Sequence, residues 1–134
     1  IKFAEKKNLF GFGSSKKWVL LADYFDPTLM RNHLALNIAK QIGLEASTMD
    51  HRKVEVWMDG VYKGLYLLTE KIDEDANRVA INSKNGDFIV ELDLPSRYEA
   101  GNLYFYSGLG YYFRVREPEK EEKIALVKEK MDSF

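Results

Sequence analysis

A β-hairpin between Lys53 and Thr69 constrains the fold of this chain more than any other segment. Its centre is the pair Asp59-Gly60, which follows Val54-Glu55-Val56-Trp57-Met58 and precedes Val61-Tyr62. An Asp-Gly pair accepts the positive φ angles of a type I′ turn, and the flanking runs are rich in β-branched and aromatic residues. The segment therefore predicts two antiparallel strands joined by a two-residue turn.

A strand and a helix are predicted before this hairpin. The apolar run from Trp18 to Ala22 suits a buried strand within Lys17 to Ala22. Asp26-Pro27-Thr28 is a strong helix start, and Gly43 suits the end, so we expect a helix over Pro27 to Ile42. Its apolar residues recur every fourth position and are Met30, Leu34, Ile38 and Ile42, with Ala35 and Ala39 beside them. This spacing predicts one packed face, with Arg31, Asn32, Asn37, Lys40 and Gln41 pointing elsewhere.

The remaining elements complete an α+β fold, a mostly antiparallel sheet with two main helices. We expect a strand end over Ile1 to Ala4, a helical turn over Asp73 to Asn77, strands over Val79 to Ile81 and Asp87 to Leu92, and a hairpin of Asn102 to Ser107 with Tyr111 to Arg116. A closing helix is expected to begin at Pro118, with an apolar stripe of Ile124, Val127, Met131 and Phe134.

Composition sets bounds on the class of protein. The 134 residues are one domain's worth, and a hydrophobic content of 46% is enough for a core, so we expect a single domain over 1–134. A net charge of -1 does not predict binding to nucleic acid or to an anionic membrane. The absence of Cys excludes disulfides and thiolate metal sites. No apolar run approaches the roughly 18 residues that span a bilayer.

Two blocks of residues between Trp18 and Glu70 resemble sequence blocks of the family of spore-coat protein H (CotH)-like kinases. The first, W-x-L-L-A…D…L-x-R-N-x-L-A, is matched by Trp18, Leu20, Leu21, Ala22, Asp26, Leu29, Arg31, Asn32, Leu34 and Ala35. The second, V-E-V-x-x-(N/D)-G-x-Y-x-G-L-Y-L-L-T-E, is matched by Val54, Glu55, Val56, Asp59, Gly60, Tyr62, Gly64, Leu65, Tyr66, Leu67, Leu68, Thr69 and Glu70. The later Gly86 to Asp93 is similar to the family's G-x-x-L-x-E-x-D segment, so the resemblance covers most of the chain.

The resemblance implies a fold and an activity. CotH-like proteins have an atypical protein-kinase-like fold, of which this chain would be the N-terminal-lobe portion. They transfer the terminal phosphate of ATP, with magnesium, to Ser or Thr of protein substrates, notably spore-coat proteins. The resemblance also suggests a spore-coat, cell-surface or secreted location.

The same resemblance predicts that the chain is cut at both ends. The family's catalytic aspartate and metal-binding aspartates belong to N-x-D and W-D-x-D segments that follow the closing helix, so we expect the catalytic residues beyond Phe134. No W-D-x-D occurs, since Trp18 precedes Val19 and Trp57 precedes Met58. The upstream K-x-Y-x-(I/L)-K-F strand is represented only by Ile1-Lys2-Phe3. The fragment alone is expected to be inactive and to contain no metal ligands.

Three residues are candidates for the nucleotide side of such a lobe: Lys2, Arg31 and Glu70. Lys2 belongs to the remnant of the upstream strand. A guanidinium is misplaced at a helix N-terminus, so Arg31 indicates either a structural ion pair, with Asp23, Asp26, Glu55, Glu70 or Glu91, or the orientation of a nucleotide group. Glu70 leaves the sheet after an apolar run, where it could be solvated or lie near the junction of kinase lobes.

Other polar patterns have weaker chemical readings. Gly11 to Lys17 resembles a phosphate cradle but fails the Walker A spacing, which favours a flexible loop. Glu91 and Asp93 share a strand face and could hold a hard cation or share a proton, although a solvated edge explains them as well. His33 and His51 are too far apart in sequence to indicate a metal site or a catalytic base.

A second functional class is a non-catalytic module that binds a glycan or a partner protein. The aromatic residues Tyr104, Phe105, Tyr106, Tyr111, Tyr112 and Phe113 could stack on sugars or bases, whereas alternation on a hairpin favours one buried and one amphipathic face. In a truncated lobe, apolar residues that lose their cover would also permit self-association.

Overall fold

The computed structural model describes residues 1–44 and 49–133. The chain divides into two compact units, residues 1–80 and residues 81–134. Each unit has its own sheet and its own helix. The assignment of all 134 residues to a single domain therefore stays a prediction.

The first unit contains a four-stranded antiparallel sheet with the order β1-β2-β4-β3. Its strands are β1 (Lys2–Asn8), β2 (Ser14–Leu21), β3 (His51–Met58) and β4 (Val61–Glu70). The predicted hairpin is confirmed, because β3 pairs with β4 across Asp59 at φ 51° and Gly60 at φ 77°. Both positive φ angles are those of a type I′ turn.

Helix α1 (Arg31–Gln41) lies against β3 in this unit. It begins at Arg31 rather than at Pro27, because Pro27 to Met30 form a separate turn in which Leu29 has φ 55°. The predicted end is confirmed: Gly43 has φ 85°, its N–H donates to Lys40 O at 3.1 Å, and Leu44 N–H donates to Ala39 O at 2.9 Å. This pair of bonds is a Schellman motif.

The prediction that α1 packs through its apolar face is wrong. Met30, Leu34, Ile38 and Ile42 are 44 to 68% exposed. The side turned toward β3 instead carries half-buried His33, Leu36, Asn37 and Lys40. Polar contacts hold this side, since the Lys40 ammonium pairs with the Asp50 carboxylate just before β3. Sequence periodicity therefore identifies the apolar stripe but not the side of the helix that faces the sheet.

The second unit contains a three-stranded antiparallel sheet with the order β5-β7-β6. Its strands are β5 (Ile89–Leu92), β6 (Leu103–Tyr106) and β7 (Tyr112–Glu117), and helix α2 (Ile124–Asp132) packs on β6. Phe105, Val115 and Val127 form the buried core, with Ile124 and Met131 packed against it. The second hairpin and most of the closing stripe are thus confirmed, while Phe134 lies outside the described residues.

Some predicted elements differ from those observed. α2 begins at Ile124 after a 3-10 turn, rather than at Pro118. The helical turn expected over Asp73 to Asn77 is a non-helical turn, and the strand expected over Val79 to Ile81 is reduced to one bridge between Glu74 and Val79. The fold class is nevertheless α+β with antiparallel sheets and two helices, although the strands form two sheets rather than one. Among residues 1–44 and 49–133, no helix is long and apolar enough to cross a membrane.

Candidate functional site

Glu70 lies at the end of β4, where it is buried rather than solvated. Its carboxylate accepts a hydrogen bond from Asp50 N–H at 2.8 Å, and its own N–H donates to Asp50 O at 3.1 Å. Thr69 Oγ1 donates to the same Asp50 carbonyl at 3.2 Å. The Glu70 side chain therefore fixes the chain where it enters β3.

Arg78 is the cationic partner of Glu70. The Arg78 guanidinium pairs with the Glu70 carboxylate, and the two side chains are only 2% and 7% exposed. The guanidinium also lies 4.6 Å from the centroid of the Trp18 ring and donates from Nη1 to Phe12 O at 3.0 Å. Burial lowers the pKa of Arg78, which nonetheless stays charged at neutral pH because its ordinary pKa is so high. No local pattern signals this pair, because Arg78 is isolated in a polar segment and its partners come from other strands.

The glycine-rich segment after β1 covers the same face of the sheet. Phe12 N–H donates to Leu9 O at 3.1 Å, and the Phe12 ring lies 6.5 Å from that of Trp18. A Cβ atom on Gly13 would lie 2.9 Å from the Cβ of Asn77, a distance that real Cβ atoms do not tolerate. The segment is thus a packed turn rather than a free phosphate cradle or a flexible loop.

Asp26 is the hub of the loop between β2 and α1. Its carboxylate accepts hydrogen bonds from Thr28 N–H at 3.1 Å, Thr28 Oγ1 at 2.6 Å, Met30 N–H at 2.9 Å and Arg31 N–H at 2.8 Å. These donors, the Thr28 hydroxyl first, lower the pKa of Asp26 to about 2. Asp26 therefore stays ionised and holds the first N–H groups of α1 without standing directly at its start.

A cleft of about 410 Å³ opens beside this hub, lined by Leu21 to Asp26 with Arg31 and Asn32. Arg31 is 76% exposed, and its Nε lies 3.7 Å from the Asp26 carboxylate. Of the carboxylates expected as ion-pair partners of Arg31, Asp26 is thus the one that lies near it, in a long contact whose guanidinium is exposed to solvent. Asn32 Nδ2 donates to Asp23 Oδ1 at 2.5 Å, which ties the helix to the loop.

Among the candidates Lys2, Arg31 and Glu70, Glu70 lies on a different face of the sheet from the other two. Opposed residues of an antiparallel ladder share a face, and consecutive residues alternate. Trp18 opposes Glu70, whereas Lys2 opposes Lys17, so Lys2 and Glu70 lie on opposite faces of the sheet. Arg31 belongs to α1, which covers the face opposite to Glu70 through the contact with His51.

His33 and His51 meet in space despite their separation in sequence. Their ring centroids are 5.0 Å apart, with His33 on α1 and His51 on β3. The Asn37 side chain lies 3.1 Å from His33 Nε2, and Met49 O lies 3.3 Å from His51 Nδ1. Burial, followed by the neighbouring His33 and Lys40, lowers the pKa of His51. The separation in sequence thus conceals a ring contact between helix α1 and strand β3.

Glu91, Asp93 and Asp87 in the second unit each contact a protein group. Glu91 lies 3.2 Å from Arg116 Nε, and Asp93 accepts from Leu94 N–H at 2.8 Å. Asn85-Gly86-Asp87 has the letters N-x-D but forms a turn, in which Asp87 accepts from Asn82 N–H at 2.9 Å. Within the described part of the chain, no group of three or more His, Asp or Glu side chains could hold a metal ion.

The second hairpin separates its aromatic residues by face. Phe105 opposes Phe113 on the side packed against α2. Tyr106 opposes Tyr112 on the other side, where Tyr104 opposes Arg114. The alternation into one buried and one amphipathic face is confirmed.

Comparison with known proteins identifies one family. The model of the family described as CotH kinase protein matches residues 1–130. No curated protein and no solved structure matches the chain significantly.

Proposed function

Because the chain belongs to the CotH kinase protein family, we propose that it is the N-terminal-lobe portion of an atypical, ATP- and magnesium-dependent Ser/Thr protein kinase. Its substrate would be a protein of the spore coat or cell surface. The match over residues 1–130 carries this proposal. The catalytic and metal-binding aspartates would lie in a segment that follows α2, so that the 134 residues alone would not transfer phosphate.

Lys2 and Arg31 are the proposed nucleotide-side cations. Both are exposed, and the single carboxylate contact of Arg31 is long enough for an anion to replace it. Arg31 also borders the cleft of about 410 Å³, which Asp26 lines as well. A phosphate group there would receive a charge-assisted hydrogen bond from the guanidinium. Glu70 would act indirectly, by fixing the strand end through Asp50 and Arg78.

Two chains of different length test this proposal. We expect no transfer of the ATP γ-phosphate to casein, with magnesium, by the 134-residue chain, and transfer by a longer chain that contains N-x-D and W-D-x-D. In the longer chain, Arg31→Gln and Lys2→Gln should raise the KM for ATP, whereas Lys63→Gln on the exposed part of β4 should not. An active 134-residue chain, or an inactive longer chain, would contradict the assignment.

A non-catalytic binding module is the second candidate, favoured by exposed tyrosines within and beside the second hairpin. Tyr98, Tyr106 and Tyr111 are each more than half exposed. Exposed tyrosine rings offer apolar surface together with a hydroxyl group that can form hydrogen bonds with a ligand. Calorimetric titrations distinguish the two functions. Binding of an oligosaccharide or a peptide without any binding of Mg-ATP, by the longer chain as well, would favour the module.

We also propose that the exposed stripe of α1 permits self-association with a second copy of the chain. The stripe is the set Met30, Leu34, Ile38 and Ile42. Apolar residues at every fourth position form a continuous ridge, and two such ridges can pack against each other.

A further inference from the structure

A groove of about 270 Å³ lies within the second unit, between the end of β5 and the β6–β7 turn. One wall is the segment Leu92 to Pro95, and the other consists of Tyr106, Tyr111 and Tyr112, with Gly110 in the turn. Leu92, Leu94, Tyr106 and Tyr111 are each more than half exposed. The groove thus combines aliphatic, proline and tyrosine surface that is open to a ligand.

Both walls are held by main-chain hydrogen bonds. Asp93 N–H donates to Tyr112 O at 2.9 Å, which joins the walls at the base of the groove. Ser107 N–H donates to Tyr111 O at 2.9 Å and closes the hairpin. The groove is therefore formed before a ligand arrives, which removes part of the entropic cost of binding.

Two tyrosines of the groove, Tyr106 and Tyr112, belong to a row of four tyrosine rings. Successive ring centroids of Tyr98, Tyr104, Tyr112 and Tyr106 are 5.3, 5.1 and 4.8 Å apart. Tyr104 and Tyr112 are stacked with an angle of 2° between their planes. Because stacked rings cover each other's faces, the row offers edges and hydroxyl groups rather than the open ring face on which a sugar stacks.

The hydroxyl groups suit a chain segment with unpaired carbonyls. A tyrosine hydroxyl is protonated at neutral pH and can donate a hydrogen bond. A polyproline II helix has no internal hydrogen bonds, and its carbonyls accept from such donors while its proline rings pack on aromatic and aliphatic side chains.

The groove carries one acidic side chain that a ligand could contact. Among the residues described as lining it, Asp93 is the one acidic or basic residue, and its carboxylate accepts from Leu94 N–H at 2.8 Å. The two arginines of β7 are paired with carboxylates, since Arg114 lies 3.3 Å from Glu99 and Arg116 lies 3.2 Å from Glu91. The groove therefore favours a ligand with a basic residue next to its apolar part.

We propose that this groove binds a proline-rich peptide segment in the polyproline II conformation, with an Arg or Lys of that segment placed against Asp93. The tyrosine hydroxyls of the groove receive its carbonyls, and Leu92, Leu94 and Pro95 pack on its proline rings. This site does not depend on nucleotide binding or on phosphate transfer.

Titration of the 134-residue chain with synthetic decaproline bearing a C-terminal arginine tests the proposal. In ¹⁵N-resolved NMR spectra, we expect saturable shifts of amide signals confined to residues 92–94 and 106–112. Tyr106→Phe, which removes only a hydroxyl group, should weaken binding about three- to tenfold. Tyr62→Phe is the matched control, since Tyr62 is an exposed tyrosine of the β3–β4 hairpin and should leave the affinity unchanged.

The charge is tested separately. Asp93→Asn keeps an oxygen for Leu94 N–H and should weaken the arginine-bearing peptide about two- to fivefold while leaving plain decaproline unaffected. The absence of saturable shifts with either peptide would overturn the proposal. So would shifts of the same residues with a cello-oligosaccharide and not with the peptides, which would assign the surface to a glycan.

Discussion

The carboxylate of Glu70 and the guanidinium of Arg78 form a buried ion pair on the face of the first sheet that also carries Trp18. The pair joins the end of β4 to the segment that follows it, and through Asp50 N–H it reaches the entry to β3. A buried pair contributes little net stability over apolar packing, but removal of one partner leaves an uncompensated charge. The pair is therefore a point of vulnerability in the first unit.

Glu70→Gln should destabilise the chain severely. It leaves the Arg78 charge buried without a counter-ion, and such losses amount to about 3–5 kcal/mol in the free energy of unfolding. Urea denaturation followed by tryptophan fluorescence measures the change, because Trp18 lies against the guanidinium. Glu91→Gln is the control: its pair with Arg116 is 49% exposed on the Glu91 side and should contribute less than about 1 kcal/mol. Equal stability of wild type and Glu70→Gln would show that Glu70 is not structural.

Gly11→Ala and Gly13→Ala should differ although both residues have positive φ. The angles are 86° and 84°, so that each substitution strains the backbone by about 1 kcal/mol. A Cβ on Gly11 meets nothing within 4 Å, whereas a Cβ on Gly13 meets Asn77 Cβ at 2.9 Å. Overpacking should add about 1–3 kcal/mol at Gly13. Thermal unfolding of the two variants measures the difference, and equal melting temperatures would contradict the packed turn.

His51 should make the first unit less stable as the pH falls below about 6.5. Burial lowers its pKa in the folded chain from the ordinary 6.5, so the unfolded chain takes up the proton first. The unfolded state then binds more protons, and stability decreases with decreasing pH. Urea denaturation at pH 7.5 and pH 5.5 should show this loss in wild type and a smaller one in His51→Gln. An NMR titration that gives His51 a pKa above 6.5 would refute the burial argument.

Asp26 should affect stability over a more acidic pH range than His51 does. Its pKa is lowered from 3.8 to about 2, so its contribution to stability is complete above about pH 4 and is lost as the pH falls toward 2. Asp26→Asn should weaken α1 at pH 5, because an amide cannot accept with both of its polar atoms. Helical circular dichroism at pH 5 and pH 2 measures the effect. The difference in helical circular dichroism between wild type and Asp26→Asn should be smaller at pH 2 than at pH 5. An equal difference at both pH values would contradict the role of the Asp26 carboxylate as the cap.

The sequence predicted the parts of this fold that depend on local chemistry. The Asp59-Gly60 turn, the Gly43 helix end and the alternation of Phe105 and Tyr106 each follow from backbone preference or from a period of two. The burial of Glu70 and the contact of His33 with His51 could not be predicted in this way. Both depend on which residues distant in sequence are brought together, and the strand exit that suggested a solvated Glu70 carries no information about Arg78.

The orientation of α1 yields the last prediction. Because Leu34 is 54% exposed and Leu36 is half-buried, the stability of the chain should respond differently when each leucine is replaced by a charged residue. Leu34→Glu should change the free energy of unfolding by no more than about 0.5 kcal/mol. Leu36→Glu should cost more than about 1 kcal/mol, because an unpaired carboxylate is forced toward the sheet. Sedimentation velocity at increasing concentration should also show less self-association of Leu34→Glu than of wild type. If Leu34→Glu destabilises the chain as much as Leu36→Glu does, the stripe is covered within the folded chain and the proposed contact between copies fails.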